Sequence, residues 1–408
     1  MGEDQVGDFP EGTESMELCG RRFDTGEAVR VEVDGQKVAA VRSCAGDPAA
    51  RGWPWIAPGL VDIQINGYGG QEFSSMELTV EKVCRISQQV LSFGVTGYCP
   101  TVTTESFEVL EHALRTIAQA CESSPEVARH VRGIHLEGPY LSTEEGPRGA
   151  HPVEHCRRPD WDEFQRLQAA AGGRICLHTM AVEFEEAPSF IQQLVAAGVI
   201  VGIGHTAADA VQIARAVEAG ARLSTHLGNG SHLMIPRHRG YIWEQLAQDR
   251  LMASLIGDGH HLPPAVLKTF IRAKTPQRCI LVSDMSGQAG QPPGRYASRF
   301  CDVEILPNGR LVVAGQHEIM AGASSPVGCG IANAVRFAGL RLETAIRMAA
   351  HNPAGLLGIT PGGLSPGDPA DLVLFRFEDG SEGAPPSEFA PVATVLGGRL
   401  VWQSPDPP

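Results

Sequence analysis

Eight apolar runs recur through the middle of the chain: GLVDIQIN (59–66), GVTGYCPTV (94–102), VRGIHLEG (131–138), RICLHTMAV (174–182), VIVGIGH (199–205), RLSTHL (222–227), LMASLIGDG (251–259) and RCILVSD (278–284). Helical patterns lie between most of them, such as LTVEKVCRISQQVLSF, SFEVLEHALRTIAQA and AADAVQIARAVEAG. Strand-like runs alternating with helical segments predict parallel strands with crossover helices. Eight such units predict an α/β protein built on a (β/α)8 barrel. A doubly wound open sheet is the competing topology. No G-x-G-x-x-G or Walker sequence follows any run, so a nucleotide-binding sheet has little support.

Both ends of the chain read differently. MELCGRRF and AVRVEVDGQKVAAVRS open it, with Asp34-Gly35 as a hairpin signal. ADLVLFRF and VATVLGGRLVWQ close it, with a turn at Gly397-Gly398. These segments predict a small β-sandwich formed from both termini. The expected division is 1–57 and 362–408 for the sandwich and 58–361 for the barrel. At 408 residues, 43% of them apolar, the chain is long enough for a large barrel with an accessory piece.

In a barrel, chemistry sits at the C-terminal ends of the strands. Gln64 and Asn66 end the first run, Glu137 the third, His205 the fifth, His226 the sixth and Asp284 the eighth. His178 lies near the end of the fourth, and Asp258, His260 and His261 follow the seventh. Singly, each has an ordinary reading: a hydrogen-bonded core histidine, or a surface carboxylate at a loop entrance. Thr206-x-x-Asp209 likewise reads as a helix capping box. Together, Glu137, His205, His226 and Asp284 fall on one rim. A carboxylate ending a buried strand is costly unless it meets a proton, a cation or a metal. One carboxylate and two imidazoles form an open zinc-type set with a fourth position left for water. Asp284 is then placed to take a proton from that water and return it to a leaving amine.

These residues resemble the amidohydrolase superfamily, from APGLVDIQINGYGG to HNPAGLLGI. The resemblance implies hydrolysis of the acetamide of N-acetyl-D-glucosamine 6-phosphate in amino-sugar catabolism. It implies Glu137, His205 and His226 as metal ligands and Asp284 as the catalytic aspartate. Gln64 and Asn66 stand where the superfamily usually has His-x-His, which favours one divalent cation per chain. Zinc is the expected ion, with iron(II), cobalt(II) and manganese(II) as alternatives. In RGAHP the resemblance gives His151 contact with the acetamide, with Ala150 beside it. It makes Gln64, Asn229, Gly230 and His261 substrate contacts and Met320, Ala321 and Gly322 a loop closing over the sugar. Arg237 falls where the family places a phosphate-binding arginine donated by a neighbouring subunit, so a homodimer is implied. The stretch HLGNGSHLM departs from the family pattern at Gly228 and Gly230, which leaves the hexosamine isomer open. Two other readings compete: a deacylase or cyclic amidase of the same superfamily, and a non-catalytic sugar-phosphate sensor.

Charge and cysteine usage narrow the partners. The chain has 47 acidic against 33 basic residues and no Lys/Arg-rich block, so nucleic acid and anionic membrane are not expected partners. A phosphate site must then be built locally, and SHLMIPRHRG with DGHH gathers His232, Arg237, His238, Arg239, His260 and His261. The ten cysteines are scattered without a C-x-x-C pair. The N-terminal tail has no apolar signal segment, and no run is long enough to span a bilayer. These features predict a cytoplasmic enzyme with reduced thiols.

Overall fold

Each of the eight apolar runs forms a strand. The structure is a computed structural model, which describes residues 15–297, 302–377 and 388–405; the acidic N-terminal tail read above lies outside them. The strands are Leu60–Ile65, Val95–Thr103, Ile134–Glu137, Ile175–Met180, Ile200–Ile203, Leu223–Ser224, Met252–Ile256 and Cys279–Val282. Each pairs in parallel with the next. The eighth returns to the first: the Asp284 N–H donates to the Gln64 carbonyl at 3.0 Å, and the Asn66 N–H to the Met285 carbonyl at 2.8 Å. The sheet thus closes as a barrel, not as a doubly wound sheet, and closure removes its free edges.

Crossover helices cover the barrel because their apolar spacing matches a helical face. In Val80–Leu91, Val83, Ile86 and Val90 are buried three and four positions apart, and the Thr79 side chain caps the Lys82 N–H. Phe107–Ser123 buries Leu110, Leu114, Ile117 and Cys121 on the same principle. The helix His351–Leu357 plugs the lower end of the barrel. There Ala354, Leu356 and Leu357 pack on Val61, Leu177 and Ile280, and Asn352 donates to the Cys279 carbonyl at 2.6 Å.

The two chain ends meet in one seven-stranded sheet. Arg399–Gln403, Ala390–Leu396 and Leu372–Arg376 join Trp55–Pro58, then Met16–Arg22, Ala28–Asp34 and Lys37–Ser43. Gly397 and Gly398 have φ of 60° and 75°, as a tight primed hairpin turn requires. The sheet's two halves also touch: the Val38 N–H donates to the Asp368 carbonyl at 2.9 Å, and that of Ala370 to the Gln36 carbonyl at 2.9 Å. Asp371 ties this sheet to the barrel, accepting from Arg129 at 3.1 Å, Arg132 at 3.0 Å and the Gly397 N–H at 2.6 Å.

One feature was not anticipated from sequence. After the eighth strand, Gly294–Tyr296, Val303–Ile305, Leu311–Val313 and Gln316–Met320 form a four-stranded antiparallel sheet. Its strands are too short for a clear alternation signal. Among the described residues all cysteines are free, and no helix is long and apolar enough to cross a membrane.

Candidate metal centre and active site

Three backbone distortions mark the rim. Non-glycine residues with positive φ are uncommon, and they cluster where surrounding structure holds them for a purpose. Among the described residues there are four, and three are His205 (φ 50°), His226 (φ 28°) and Asp284 (φ 53°). The strand before His226 is only Leu223–Ser224, shorter than the apolar run that contains it.

The side chains converge. Glu137 Oε1 lies 2.9 Å from His226 Nε2 and 3.2 Å from His205 Nε2, and the two nitrogens are 3.0 Å apart. His151 Nε2 is 3.3 Å from His205 Nε2. His205 Nδ1 donates to the Pro147 carbonyl at 2.9 Å, so a neutral ring must carry its lone pair on Nε2. That lone pair points at a carboxylate oxygen and at another imidazole nitrogen. Acceptors so arranged repel one another unless a cation or proton lies between them. Glu137, His205 and His226 are all buried and offer ligand atoms within 4.8 Å of one another, so this donor set fits a divalent cation. The second ring nitrogen of His205 is held by a carbonyl, as metal-bound imidazoles usually are.

Asp284 and the first strand complete the centre. Asn66 Nδ2 donates to Asp284 Oδ1 at 2.8 Å, and Gln64 Nε2 to Glu137 Oε1 at 3.1 Å. Gln64, expected at the substrate, thus donates its amide to the Glu137 carboxylate. Burial, with the negative charge of Glu137 adding to it, raises the Asp284 carboxyl above its ordinary range. Burial and the neighbouring His205 hold the His151 imidazole down at about 3, so it is neutral at pH 7.

The other predicted residues divide. Asp258 Oδ2 accepts from His261 Nδ1 at 2.7 Å, which fixes that ring with Nε2 free. Asn229 donates to the His226 carbonyl at 3.1 Å and so stays on the rim. Ala150 directly precedes His151 in the loop between Glu137 and Trp161. Met320 ends the inserted sheet, and the Ala323 N–H just beyond Ala321 and Gly322 donates to the Asp284 carbonyl at 2.9 Å. Arg237 sits apart, exposed with His238 and Arg239 on the loop after the sixth strand. His178 points outward into the helix layer, its ring 5.4 Å from Tyr140 and 5.7 Å from Phe164. The capping box is Asp209 with Gln212; Thr206 instead donates to Glu183. Pro147 and Asp258 were missed as orienting groups. A carbonyl carries no residue-type signal, but Asp258, three positions before His261, could have been read as its partner.

Two glycines make room for His205. A Cβ on Gly230 (φ 55°) would lie 2.6 Å from His205 Nδ1, and one on Gly149 (φ 61°) 3.2 Å from its Cε1. Gly230→Ala will therefore push the ring off Pro147 and weaken divalent-cation binding about 10–100-fold, the range for a lost orienting contact. Equilibrium dialysis measures it; unchanged affinity would show that the ring has another place to go.

Similarity to known proteins agrees with this architecture. The amidohydrolase family matches residues 55–401. The N-acetylglucosamine-6-phosphate deacetylase of Bos taurus is 34% identical over 361 residues, covering 85% of this chain and 83% of that protein. An N-acetylgalactosamine-6-phosphate deacetylase of Shewanella sp. (strain ANA-3) is 31% identical, covering 73% of each. Among solved structures, a mutant N-acetyl-D-glucosamine-6-phosphate deacetylase from Mycobacterium smegmatis, in complex with N-acetyl-D-glucosamine-6-phosphate, superposes with a TM-score of 0.82 at 30% identity. That match covers 95% of this chain and 99% of the other. With a closed barrel, a buried Glu/His/His centre and these relatives, the chain belongs to the amidohydrolase family.

Proposed function

We propose that this chain hydrolyses the acetamide of N-acetyl-D-glucosamine 6-phosphate to glucosamine 6-phosphate and acetate. The observation that carries the reading is the convergence of Glu137, His205 and His226 on one point, with Asp284 raised in pKa on the same rim. Relatives that share the fold are named for this reaction or for the galactosamine counterpart. Glu137, His205 and His226 would hold one divalent cation, zinc by preference, which would supply Lewis acidity and bring the pKa of water down toward about 7. Asp284 takes the proton of the attacking water and, once protonated, hands it to the departing amine. Asn66 fixes the carboxylate for that exchange. His151, neutral at pH 7, donates an N–H toward the acetyl oxygen. Asn229, Ala150 and the segment from Met320 to Gly322 line the sugar side. The enzyme works in the cytoplasm, its barrel spanning 58–361 and its β-sandwich 1–57 with 362–408.

Phosphate recognition falls to Arg237 and His261. His261 is oriented by Asp258, while Arg237 is exposed on its own chain. In a homodimer, an exposed loop arginine can complete the partner's site. A guanidinium suits phosphate because its parallel N–H groups match the oxygen spacing. Arg237→Ala will lower kcat/KM for the 6-phosphate substrate roughly 10- to 150-fold, mainly through KM, and change little for the unphosphorylated sugar. Equal losses on both sugars would show that Arg237 holds the loop instead. The reading as a whole is tested by acetate release from N-acetylglucosamine and N-acetylgalactosamine, each with and without 6-phosphate, alongside metal analysis. No acetate from any of them, with metal bound, would leave the sensor reading in its place.

A further inference from the structure

The first barrel strand changes the face it presents between Val61 and Asn66. Val61 and Ile63 pack inside the barrel with Cys99, Leu177, Leu223 and Ile280. Strict alternation would then turn Gln64 and Asn66 outward. Instead Gln64 reaches Glu137 and Asn66 reaches Asp284. The pairing with the second strand locates the change. Asp62 stands opposite Tyr98 and Ile65 opposite Pro100, so the first strand carries one residue more than its neighbour there. Such a bulge inverts the alternation and re-aims the side chains beyond it.

Asp62 sits at the start of the bulge. It is fully buried, and among the described residues no basic side chain meets its carboxylate. Oδ1 accepts the Gln64 N–H at 3.2 Å. The Ser283 N–H donates to the same carboxylate, at 3.1 Å to Oδ2 and 3.3 Å to Oδ1. Ser283 directly precedes Asp284, whose φ is 53°. One carboxylate therefore replaces ladder bonds on two strands, next to the residues that bear on the chemistry. Burial pushes its carboxyl up to about 7. A carboxylate in a dry barrel is expensive to keep for packing alone, since an apolar residue would fill the space at lower cost.

We infer that Asp62 is a positioning residue: by holding the Gln64 and Ser283 amides it builds the bulge that turns Gln64 and Asn66 into the site and sets Asp284 at its working angle. Its effect on catalysis rests on the deacetylase reading above. Asp62→Ala should lower kcat about 100-fold with KM within about twofold, the scale of a misplaced catalytic group. Asp62→Asn keeps one acceptor oxygen but turns an amide N–H toward Ser283, and should lose about 3- to 10-fold. In a Gln64→Ala/Asn66→Ala background, Asp62→Ala should cost less than about tenfold more, because residues acting through one another are not additive. The same 100-fold loss in both backgrounds would mean that Asp62 only closes the barrel seam, and would overturn the inference.

A second readout does not need activity. Hydrogen exchange in Asp62→Ala should rise in peptides covering 59–66 and 279–286 and stay unchanged in 107–123. Uniform loss, or none, overturns the inference. If Asp62→Ala does not fold, Asp62→Asn carries both measurements, and wild-type kcat with unchanged exchange overturns it. A wild-type chain that deacetylates no sugar phosphate refutes the functional reading instead, and exchange alone then decides on Asp62.

Discussion

Asp284→Asn will lower kcat by about 10²–10⁴-fold while leaving the fold and the cation site in place. The substitution is chosen for three reasons that the structure supplies. Asparagine has nearly the same size, and its amide oxygen still accepts from Asn66 Nδ2, now 2.8 Å from Oδ1. Asp284 has φ of 53°, a conformation asparagine tolerates better than most residues, so the backbone is not strained further. The amide also cannot shuttle a proton. The loss corresponds to about 2.7–5.5 kcal/mol of barrier. Steady-state kinetics with metal analysis of the same preparation measures it. If Asp284→Asn kept more than about a tenth of the wild-type rate, the proton-transfer role would belong elsewhere.

The barrel was legible because its strands are covered on both sides. The stretches CILV (279–282) and VIVGIG (199–204) are apolar throughout, and continuous apolar strands spaced by helical segments leave few topologies. The rim was legible for a related reason. A carboxylate or imidazole at the end of an apolar run contradicts its surroundings, and Glu137, His205, His226 and Asp284 all do so. What alternation cannot carry is a break in alternation. GLVDIQIN gives no sign of the extra residue between Asp62 and Ile65, so the inward turn of Gln64 and Asn66 had to be seen. The bonds that orient the centre were hidden too: Pro147 acts through a carbonyl, and the positive φ at His205 and His226 belongs to no residue type. His178, also near a strand end, takes the other face. It lies next to Leu177 and Thr179, which face inward, so period two sends it out to Tyr140 and Phe164. The inserted sheet at 294–320 was missed because three of its four strands have only three residues, too few to carry a pattern.

Removing one ligand should remove the cation and the reaction together, and His205→Asn is the variant that isolates this. Asparagine tolerates φ 50° better than alanine does, so the variant adds no backbone strain. Asparagine also lacks the ring that spans from the Pro147 carbonyl to Glu137, a span of 2.9 Å on one side and 3.2 Å on the other. Without it, Glu137 and His226 remain as two donors, one short of the three that a catalytic zinc site uses. Activity should fall by more than about 10³-fold, since water at pH 7 is no longer brought near its pKa. Activity alone would not separate lost metal from lost geometry, but thermal unfolding does. A cation that binds only the folded chain stabilises it by about 2.7 kcal/mol at a hundred times its Kd. A chelator should therefore lower the Tm of the wild type and leave that of His205→Asn unchanged. If the variant still bound one equivalent of metal and its Tm still fell with chelator, the cation would be held by other residues, and the Glu137, His205 and His226 centre would have to be abandoned.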